Sequence, residues 1–197
     1  PAQQYCWRGV TTYNLPEAQQ RHITEAWSNG RRFGMVPLGQ GRVYWFAVEA
    51  VPTGQAPTPT EQLPQLFADF HPVAGDLLRA TPMAQVHLAP ICDLMPLPQW
   101  HQGAIGLLGD AAHAPPPNLG QGAGQAIEDA RVLALCLAQQ GQPTAAFAQF
   151  EQLRRPKVKR IRDVSWLIGQ VGHWRHPLAQ GLRKLLMRAT PQRAQHK

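Results

Sequence analysis

The feature that most constrains this chain is a proline- and glycine-rich connection between a short apolar run and a helical pattern. The apolar run covers residues 104–108 and stops at Gly109 and Asp110, and three prolines at 115–117 follow before a glycine-rich stretch. The prolines exclude regular structure there. From Gln125 onward, apolar side chains recur at helical spacing. We predict a buried strand at 104–108, an irregular loop, and a helix that includes residues 126–138. Asp110 would then lie at the carboxyl end of a parallel-type strand, where open α/β sheets bind ligands.

The glycine-rich stretch, Gly120, Gln121 and Gly122, precedes the predicted helix directly. A helix N-terminus carries unpaired N–H donors and roughly half a positive charge, which favours an anion or an electron-rich carbonyl. Glycine also allows a flat ligand to approach the backbone, and we expect a Cβ at Gly122 to conflict with a positive φ or to displace the ligand. A short carboxylate such as Asp110 can accept hydrogen bonds from sugar-like hydroxyls. These residues predict a ligand site.

Residues 32–48 predict a β-hairpin, because runs rich in β-branched and aromatic residues flank a glycine-containing turn. Further along the chain, a helix is expected from about Pro143, kinked or split by Pro156. The remaining predicted elements are strands at 3–10 and 85–93 and short helices within 15–28, 60–70 and 72–80.

The positive charge of this chain is concentrated at one end. Residues 151–197 hold 12 basic and 2 acidic side chains, whereas residues 1–150 hold 7 basic and 10 acidic ones. Leucine, isoleucine and tryptophan accompany the basic residues, which gives a basic amphipathic pattern. Such a pattern fits a closing helix with a solvated face, or peripheral contact with an anionic membrane. No recognised motif supports nucleic-acid binding, so no nucleic-acid partner is predicted.

Cysteine and histidine usage excludes the common structural metal and disulfide frameworks. The three cysteines, Cys6, Cys92 and Cys136, are far apart in the sequence and form no CxxC pair. His173 and His176 have nearly helical spacing but no third ligand nearby, so no metal site is predicted. A reducing, cytoplasmic location fits the cysteine usage best.

At the ligand-site residues the sequence resembles a known family, the single-component FAD-dependent monooxygenases related to para-hydroxybenzoate hydroxylase. It is most similar to the branch with salicylate hydroxylases, urate hydroxylases and zeaxanthin epoxidases. The resemblance covers nearly the whole chain. It rests on Gly109-Asp110-Ala111-Ala112-His113, Pro117, Gly120-Gln121-Gly122, Ala126-Ile127-Glu128-Asp129-Ala130, Trp7-Arg8-Gly9, residues 32–38 and residues 42–46.

The resemblance implies an α/β fold, α+β within this chain. A substrate-covering sheet would occupy residues 1–98, part of a Rossmann-like FAD/NAD(P)-binding domain residues 99–141, and basic C-terminal helices residues 142–197. It implies FAD as cofactor, NAD(P)H as reductant, and hydroxylation or epoxidation of an aromatic or unsaturated small molecule with O2. No catalytic side chain is expected, because the flavin carries the chemistry. The implied cofactor-binding residues are Gly109, Asp110, Pro117, Gly120, Gln121, Gly122 and Ala123, and the substrate-pocket candidates are Met35, Pro37, Tyr44 and Phe46.

One departure from the family pattern is large, since the chain has no strand–GxGxxG–helix unit for the ADP part of the cofactor. The Gly120, Gly122 and Gly124 series follows a loop rather than a strand, and is not a substitute. We therefore expect the missing N-terminal half to be a partner of this chain. Two alternatives stay open: a non-catalytic truncated remnant or split-gene product, and a module that binds a membrane surface or a partner through the basic tail.

Several polar side chains allow both a structural and a functional interpretation. His113 is expected to bond loop backbone, and Glu128 and Asp129 to be first-turn acids favoured by the helix dipole. Arg32 and Arg42 fit solvated hairpin ends better than partners of a substrate carboxylate.

Overall fold

The computed structural model describes residues 1–189, and for Arg188 and Ala189 the backbone only. The chain divides into two compact units. Among the described residues, the sheet unit consists of residues 3–90 and 170–189, and the helical unit consists of residues 1–2 and 91–169. No helix among the described residues combines the length and the apolar character needed to cross a membrane.

The sheet unit is built on five antiparallel strands in the order β2-β3-β4-β1-β5. Its elements are β1 (Gln4–Thr12), β2 (Thr24–Ser28), β3 (Arg31–Gly39), β4 (Arg42–Ala50), α1 (Leu63–Leu66), α2 (Pro72–Ala80) and β5 (His87–Pro90). The predicted hairpin is confirmed as β3 and β4, and the predicted strand at 3–10 and helix at 72–80 are confirmed as β1 and α2. The expected helix within 15–28 is wrong in its second half, because residues 24–28 pair with β3 as a strand.

One face of this sheet carries the core of the unit. Trp7 and Trp45 are fully buried, and Phe33 stacks on the Trp45 indole at a centroid distance of 6.0 Å. Helix α2 packs Leu77 into the same cluster. Trp45 Nε1 donates a hydrogen bond of 2.8 Å to Thr81 Oγ1, so the buried indole N–H is satisfied. The pleat of the strands therefore produces one apolar face, whereas on the opposite face Cys6, Arg32 and Val48 are buried and Tyr44 and Phe46 are half-exposed.

Glycines in the strands make room for these rings. A Cβ at Gly9 would lie 2.7 Å from Trp45 Cζ2, and one at Gly34 would lie 2.1 Å from Phe46 Cζ. Because real Cβ atoms do not approach ring carbons this closely, each ring occupies space that a side chain at the glycine would need.

The helical unit contains two-residue strands and long helices. Its elements are β6 (His101–Gln102), β7 (Ile105–Gly106), α3 (Asp110–His113), α4 (Gly122–Gln140) and α5 (Pro143–Gly172), which belongs to this unit up to Gly169. The buried cluster of this unit is Trp100, Ala112, Cys136, Ala146, Phe150 and Val158. The final helix, α6 (Pro177–Ala189), belongs to the sheet unit. The predicted helix over 126–138 is confirmed.

One prediction in the helical unit is wrong, and the split expected as one of two outcomes at Pro156 does not occur. Residues 104–108 do not form a buried parallel-type strand: only β7 forms, it is antiparallel to β6, and Ile105 is 76% exposed. An apolar run becomes a buried strand only where other elements cover it. Pro156 does not split α5, because it lies on the exposed side, where water can satisfy the carbonyl that loses its donor.

Candidate functional site

The predicted ligand site begins with a sharp turn at Gly109. Its backbone has φ 58° and ψ −141°, a conformation that strongly favours glycine. A Cβ there would lie only 3.1 Å from the Cβ of Ala126, so helix α4 also packs closely against this turn. The Gly109 N–H donates a hydrogen bond of 2.8 Å to the Asp129 carboxylate. The turn is thus fixed both by its own backbone and by a side chain of α4.

Asp110 begins the short helix α3 directly after this turn. Its side chain is exposed, and its carboxylate makes no hydrogen bond to any described residue. A Cβ placed on Gly122 would lie 3.8 Å from Asp110 Oδ1, so the carboxylate is held beside the start of α4. Asp110 is therefore a free acceptor next to a helix N-terminus.

The start of α4 follows the prolines as the sequence suggests. Pro117 opens a 3-10 turn, Gly120 adopts the left-handed conformation with φ 62°, and α4 begins at Gly122 without a side-chain cap. A Cβ added at Gly120 would meet no described atom within 4 Å, so there is open space above the turn. The expected positive φ lies at Gly120 and not at Gly122, which is already helical. Gln121 and Ala123 are exposed on either side of the helix start.

Beneath this surface lies a buried ionic cluster centred on Asp129. The Asp129 carboxylate, which is fully buried, accepts hydrogen bonds of 2.6 Å from His113 Nε2 and from Arg154 Nε. Burial alone would raise the pKa of Asp129, but the hydrogen bonds from His113, from Arg154 and from the loop amide outweigh it and lower that pKa. The carboxylate is therefore held ionised within the unit.

Arg154 connects the same cluster to the rest of α4. Its side chain is 2% exposed, and it pairs with Glu128 at 2.6 Å as well as with Asp129. It also donates to the Gln125 side-chain oxygen at 2.8 Å. All five guanidinium donors of an arginine need partners when they are buried, and this arrangement supplies several of them.

Two expectations about these residues are wrong. Glu128 and Asp129 are not first-turn acids, because α4 begins more than one turn before them, at Gly122, and their partners are side chains rather than the helix dipole. His113 bonds the Asp129 carboxylate instead of loop backbone. Arg154 lies on the buried face of α5, and a buried arginine needs an acidic partner. That requirement is the sequence signal from which the cluster could have been predicted.

The structure does not bring the four substrate-pocket candidates onto one face of the sheet. Met35 is buried in the apolar core of the sheet unit. Pro37 lines a cavity of about 280 Å³ at the hairpin end, together with Gly39, Gly41 and Val43. Tyr44 and Phe46 lie on the opposite, half-exposed face, with their ring centroids 6.2 Å apart.

The two hairpin arginines differ from each other. Arg32 is 3% exposed and pairs with Glu25 at 2.6 Å, so the expectation of a solvated hairpin end is wrong for it. Arg42 is exposed at the start of β4, as expected. The cysteines Cys6, Cys92 and Cys136 are all free.

Comparison with known proteins supports FAD as the cofactor. Residues 7–165 match a family described as FAD binding domain. The chain is similar to the aurachin C monooxygenase/isomerase of Stigmatella aurantiaca, with 40% identity over 185 residues, 92% of this chain and 48% of that protein. It is also 34% identical to the 2-heptyl-3-hydroxy-4(1H)-quinolone synthase of Pseudomonas aeruginosa over 193 residues, 94% of this chain and 49% of that protein.

A solved structure agrees with these relatives. Klebsiella pneumoniae HpxO, complexed with FAD and uric acid, matches with a TM-score of 0.85 and 25% identity over 98% of this chain and 51% of that chain. This chain thus spans about half the length of the curated relatives it matches. With the family match over residues 7–165 and the fold in agreement, this chain belongs to the FAD-binding family of flavin-dependent monooxygenases.

Proposed function

We propose that this chain forms part of an FAD-dependent monooxygenase that uses NAD(P)H and O2 to hydroxylate or epoxidise an aromatic or unsaturated small molecule. The family match and the monooxygenase and hydroxylase names of the relatives support this activity. When bound, FAD supplies the oxygen chemistry: reduced by NAD(P)H, it activates O2 and delivers one oxygen atom. The side chains of this chain then bind the cofactor and the substrate, orient them and shield them from water.

The observation that carries the proposal is that the Asp110 carboxylate, a free hydrogen-bond acceptor, lies beside the free N–H donors at the start of α4. Asp110 is exposed without a partner among the described residues, beside the uncapped start of α4 at Gly122. A cofactor with both hydroxyl groups and electron-rich carbonyls fits such a pair, because the carboxylate accepts from hydroxyls and the helix N–H groups donate to carbonyls. Gly120 leaves room for a flat ring at the same turn. We assign Gly109, Asp110, Pro117, Gly120, Gln121, Gly122 and Ala123 to this cofactor surface.

The test is Asp110→Ala in the FAD-loaded protein. Losing a hydrogen bond to a charged group costs about 1.5–3 kcal/mol, so FAD affinity should fall by roughly 10- to 100-fold. The matched control is Asp163→Ala, which removes an exposed carboxylate of α5 that pairs with Lys159. FAD affinity measured by flavin fluorescence should change only in the first variant. Equal affinity in wild type and Asp110→Ala would remove Asp110 from the cofactor surface.

For the substrate, we infer an aromatic small molecule that lies against Tyr44 and Phe46. The half-exposed rings of these residues on the sheet face opposite the core support this inference. Pro37 is kept as a candidate through the cavity that it lines, whereas Met35 would act only indirectly through the core. Replacing Phe46 by Ala should raise KM for the substrate more than it lowers kcat, and an unchanged KM would exclude the ring from the pocket.

We further infer that the dinucleotide-binding half of the site comes from a further segment, which is the partner expected from the sequence. Relatives of about twice the length support it, as do apolar side chains exposed on α4 and β7. Among them, Ile105 is 76% and Ile127 73% exposed. A polar change, Ile127→Glu, should weaken FAD retention in the completed protein, while Gln139→Glu near the end of α4 should not. Equal retention in both would leave the apolar surface without this role.

A second proposal concerns the basic tail, which we infer to contact anionic membrane surfaces peripherally. Four leucines of α6, Leu178, Leu182, Leu185 and Leu186, are each more than half exposed at helical spacing. No acidic residue follows Asp163 in the sequence. Arg183 is buried beneath the helix and donates to the Gly172 carbonyl at 2.9 Å, so the leucines face away from their own unit. Part of the tail, residues 190–197, lies outside the described residues.

Vesicle sedimentation tests this tail proposal. The protein should co-sediment with phosphatidylglycerol vesicles more than with phosphatidylcholine vesicles, and Leu185→Glu should reduce the bound fraction severalfold. Leu153→Glu replaces a similarly exposed leucine of the helical unit and serves as the control. Binding that is equal for the two lipids, or equal for the two variants, would contradict the proposal. For the protein as a whole we infer a cytoplasmic location, in keeping with three free thiols.

A further inference from the structure

A cavity of about 150 Å³ lies within the helical unit, and none of its described lining residues belongs to the proposed cofactor surface. One wall is a stripe of α5 formed by Arg155, Val158, Lys159 and Arg162. These positions are three or four residues apart, so they lie on one face of the helix. The remaining walls come from the loop before Trp100, from Trp100 itself and from the short helix α3. The cavity is thus built by a single unit of the chain.

The interior of this cavity is largely apolar. Trp100, Ala112 and Val158 line it and are themselves part of the buried cluster of the unit. His113 adds a flat ring, whose centroid lies 5.0 Å from that of Trp100. Protein interiors are close-packed, so an apolar space of this size favours an apolar occupant over water. A cavity of about 150 Å³ accommodates roughly six carbon atoms, the size of a benzene ring.

The side chains at the rim of the cavity are cationic. Three of the lining residues carry a full positive charge: Arg155, Lys159 and Arg162. Their acidic partners, which lie outside the lining, are Glu151, Asp163 and Asp93. Arg155 is held as a wall, because its guanidinium lies over the Trp100 ring at 5.1 Å and donates to the Leu97 carbonyl at 2.8 Å. The cavity therefore presents positive charge to an occupant, with the carboxylates behind it.

The other two cations of the rim keep binding capacity. Arg162 donates through Nε to Asp93 Oδ2 at 3.2 Å, and neither of its terminal nitrogens bonds a described residue. Trp166 Nε1 also donates to this Asp93 oxygen, at 2.8 Å, so the acceptor that orients Arg162 is itself fixed. Lys159 pairs with Asp163 at a mostly exposed position, where ion pairs are weak and exchange readily. Arg162 thus offers a free guanidinium edge, and Lys159 a second charge.

We propose that this cavity binds a small aliphatic carboxylic acid with a body of about six carbon atoms. The body lies against Trp100 and Val158, and the carboxylate lies on the terminal nitrogens of Arg162. A guanidinium edge matches a carboxylate in two parallel hydrogen bonds, and burial of the body removes apolar area from water. This site is separate from the proposed cofactor and substrate surfaces, and it does not depend on the monooxygenase activity.

The experiment compares two probes that share one alkyl chain and differ in charge, hexanoate and the neutral hexanamide. Their dissociation constants are measured by calorimetry near neutral pH, and the methyl signal of Ala112, which lines the cavity, is followed by NMR. The wild type should bind hexanoate more tightly than hexanamide. Hexanoate should also shift the Ala112 signal in proportion to its occupancy.

Three variants test the charge and the space separately. Arg162→Gln should weaken hexanoate binding about 10-fold and leave hexanamide binding unchanged. Arg160→Gln removes an exposed arginine of the same helix and should change neither probe. Val158→Phe fills the cavity and should abolish the binding of both. Thermal unfolding verifies that each variant folds, and the two arginine variants keep the test decisive if Val158→Phe does not.

A preference for hexanoate that is lost in Arg162→Gln and kept in Arg160→Gln supports the assignment. If the wild type does not bind hexanoate more tightly than hexanamide, or if the two arginine variants behave alike, the assignment is overturned. Phe46→Ala alters the proposed substrate surface and should leave hexanoate binding unchanged. Weaker binding in that variant would place the probe outside the cavity and equally overturn the proposal. The FAD effect of Asp110→Ala is measured separately, so the failure of one result leaves the other intact.

Discussion

In the sheet unit the most completely buried large side chains are the indoles of Trp7 and Trp45, whereas in the helical unit a guanidinium and a carboxylate, Arg154 and Asp129, are buried to the same degree. An aromatic core stabilises a sheet through area removed from water, and it tolerates changes that conserve volume. A buried ion pair tolerates the loss of neither partner, because the remaining charge stays desolvated.

This difference follows what each unit has to hold in place. The core of the sheet unit supports a flat surface, whose shape depends on many contacts of similar strength. The cluster of the helical unit supports one turn, since Asp129 accepts from the Gly109 N–H at 2.8 Å while Arg154 holds the carboxylate from the other side. A few directional bonds thus define the loop that carries Asp110, which packing alone would define less sharply.

The largest effect should come from Arg154→Met. It leaves the Asp129 carboxylate buried without its principal cation, which typically costs about 3–5 kcal/mol of unfolding free energy. Urea denaturation near neutral pH measures it. Arg160→Met changes an exposed arginine on the same helix and should stay within about 0.5 kcal/mol of wild type. Adding Asp129→Leu to Arg154→Met should recover much of the loss, and a double variant as unstable as the single one would show that charge burial is not the cause.

A smaller loss is expected from Gly9→Ala in the sheet unit. The new Cβ would lie 2.7 Å from the indole of Trp45, which is fully buried and anchored to Thr81. Overpacking of this kind costs about 1–3 kcal/mol. Gly181→Ala is the matched control, because no described atom lies within 4 Å of its Cβ position in α6, and alanine favours a helix. The two glycine variants should therefore shift the melting temperature in opposite directions.

These glycines also show what the sequence could and could not reveal. The run rich in β-branched and aromatic residues around Trp45, next to a glycine-containing turn, predicted the hairpin, because that signal needs only neighbours along the chain. The reason for Gly9 depends on a ring from another strand, which only pairing brings into contact. The same holds for the substrate candidates. Periodicity cannot say which face of the sheet is covered, and Met35 and Tyr44 prove to lie on opposite faces.

The site was predictable to the extent that it is local. The Gly109-Asp110 turn, the proline loop and the start of α4 follow each other along the chain, so their residue types suggested a ligand surface directly. The Asp129 cluster joins α3, α4 and α5, with His113 16 residues before Asp129 and Arg154 25 residues after it, and no spacing rule connects those elements. Residues 104–108 were assigned a buried strand because apolar runs of that length usually have covering neighbours, and here Ile105 is largely exposed.

The two units can also be compared by their response to acid, because each contains an aspartate whose pKa is lowered by folding. For Asp76 in the sheet unit the cause is hydrogen bonds from the Tyr13 hydroxyl and from Arg79, at an exposed position. A lowered pKa means that the stabilisation is complete above the ordinary value of about 3.9 and is lost as pH falls through the folded value. Protonation of either aspartate below about pH 4 should thus lower the free energy of unfolding.

Salt distinguishes the two aspartates. At about 1 M salt the screening length is near 3 Å, which weakens exposed pairs far more than buried ones. Urea denaturation between neutral and acid pH, at low and high salt, should show the Asp76→Asn difference shrinking with salt and the Asp129→Asn difference persisting. Equal salt sensitivity of the two differences would contradict the buried character of the Asp129 cluster.

The smallest effect is expected at the rim of that cluster, from Lys157→Met. Lys157 bonds both carboxylate oxygens of Glu128, at 2.6 and 2.7 Å, but its side chain is half exposed, and such pairs contribute about 0–1 kcal/mol. The hydrogen bond from Lys157 is nevertheless the main cause of the lowered pKa of Glu128. The variant should therefore raise that pKa toward its ordinary value, as followed by carboxyl NMR, while the free energy of unfolding barely changes. Glu128 keeps Arg154 as a partner in either case. A loss of stability as large as that of Arg154→Met would mean that the exposed pair stabilises the unit as much as the buried pair does. The contrast between a buried ion pair and a solvated one would then not describe this unit.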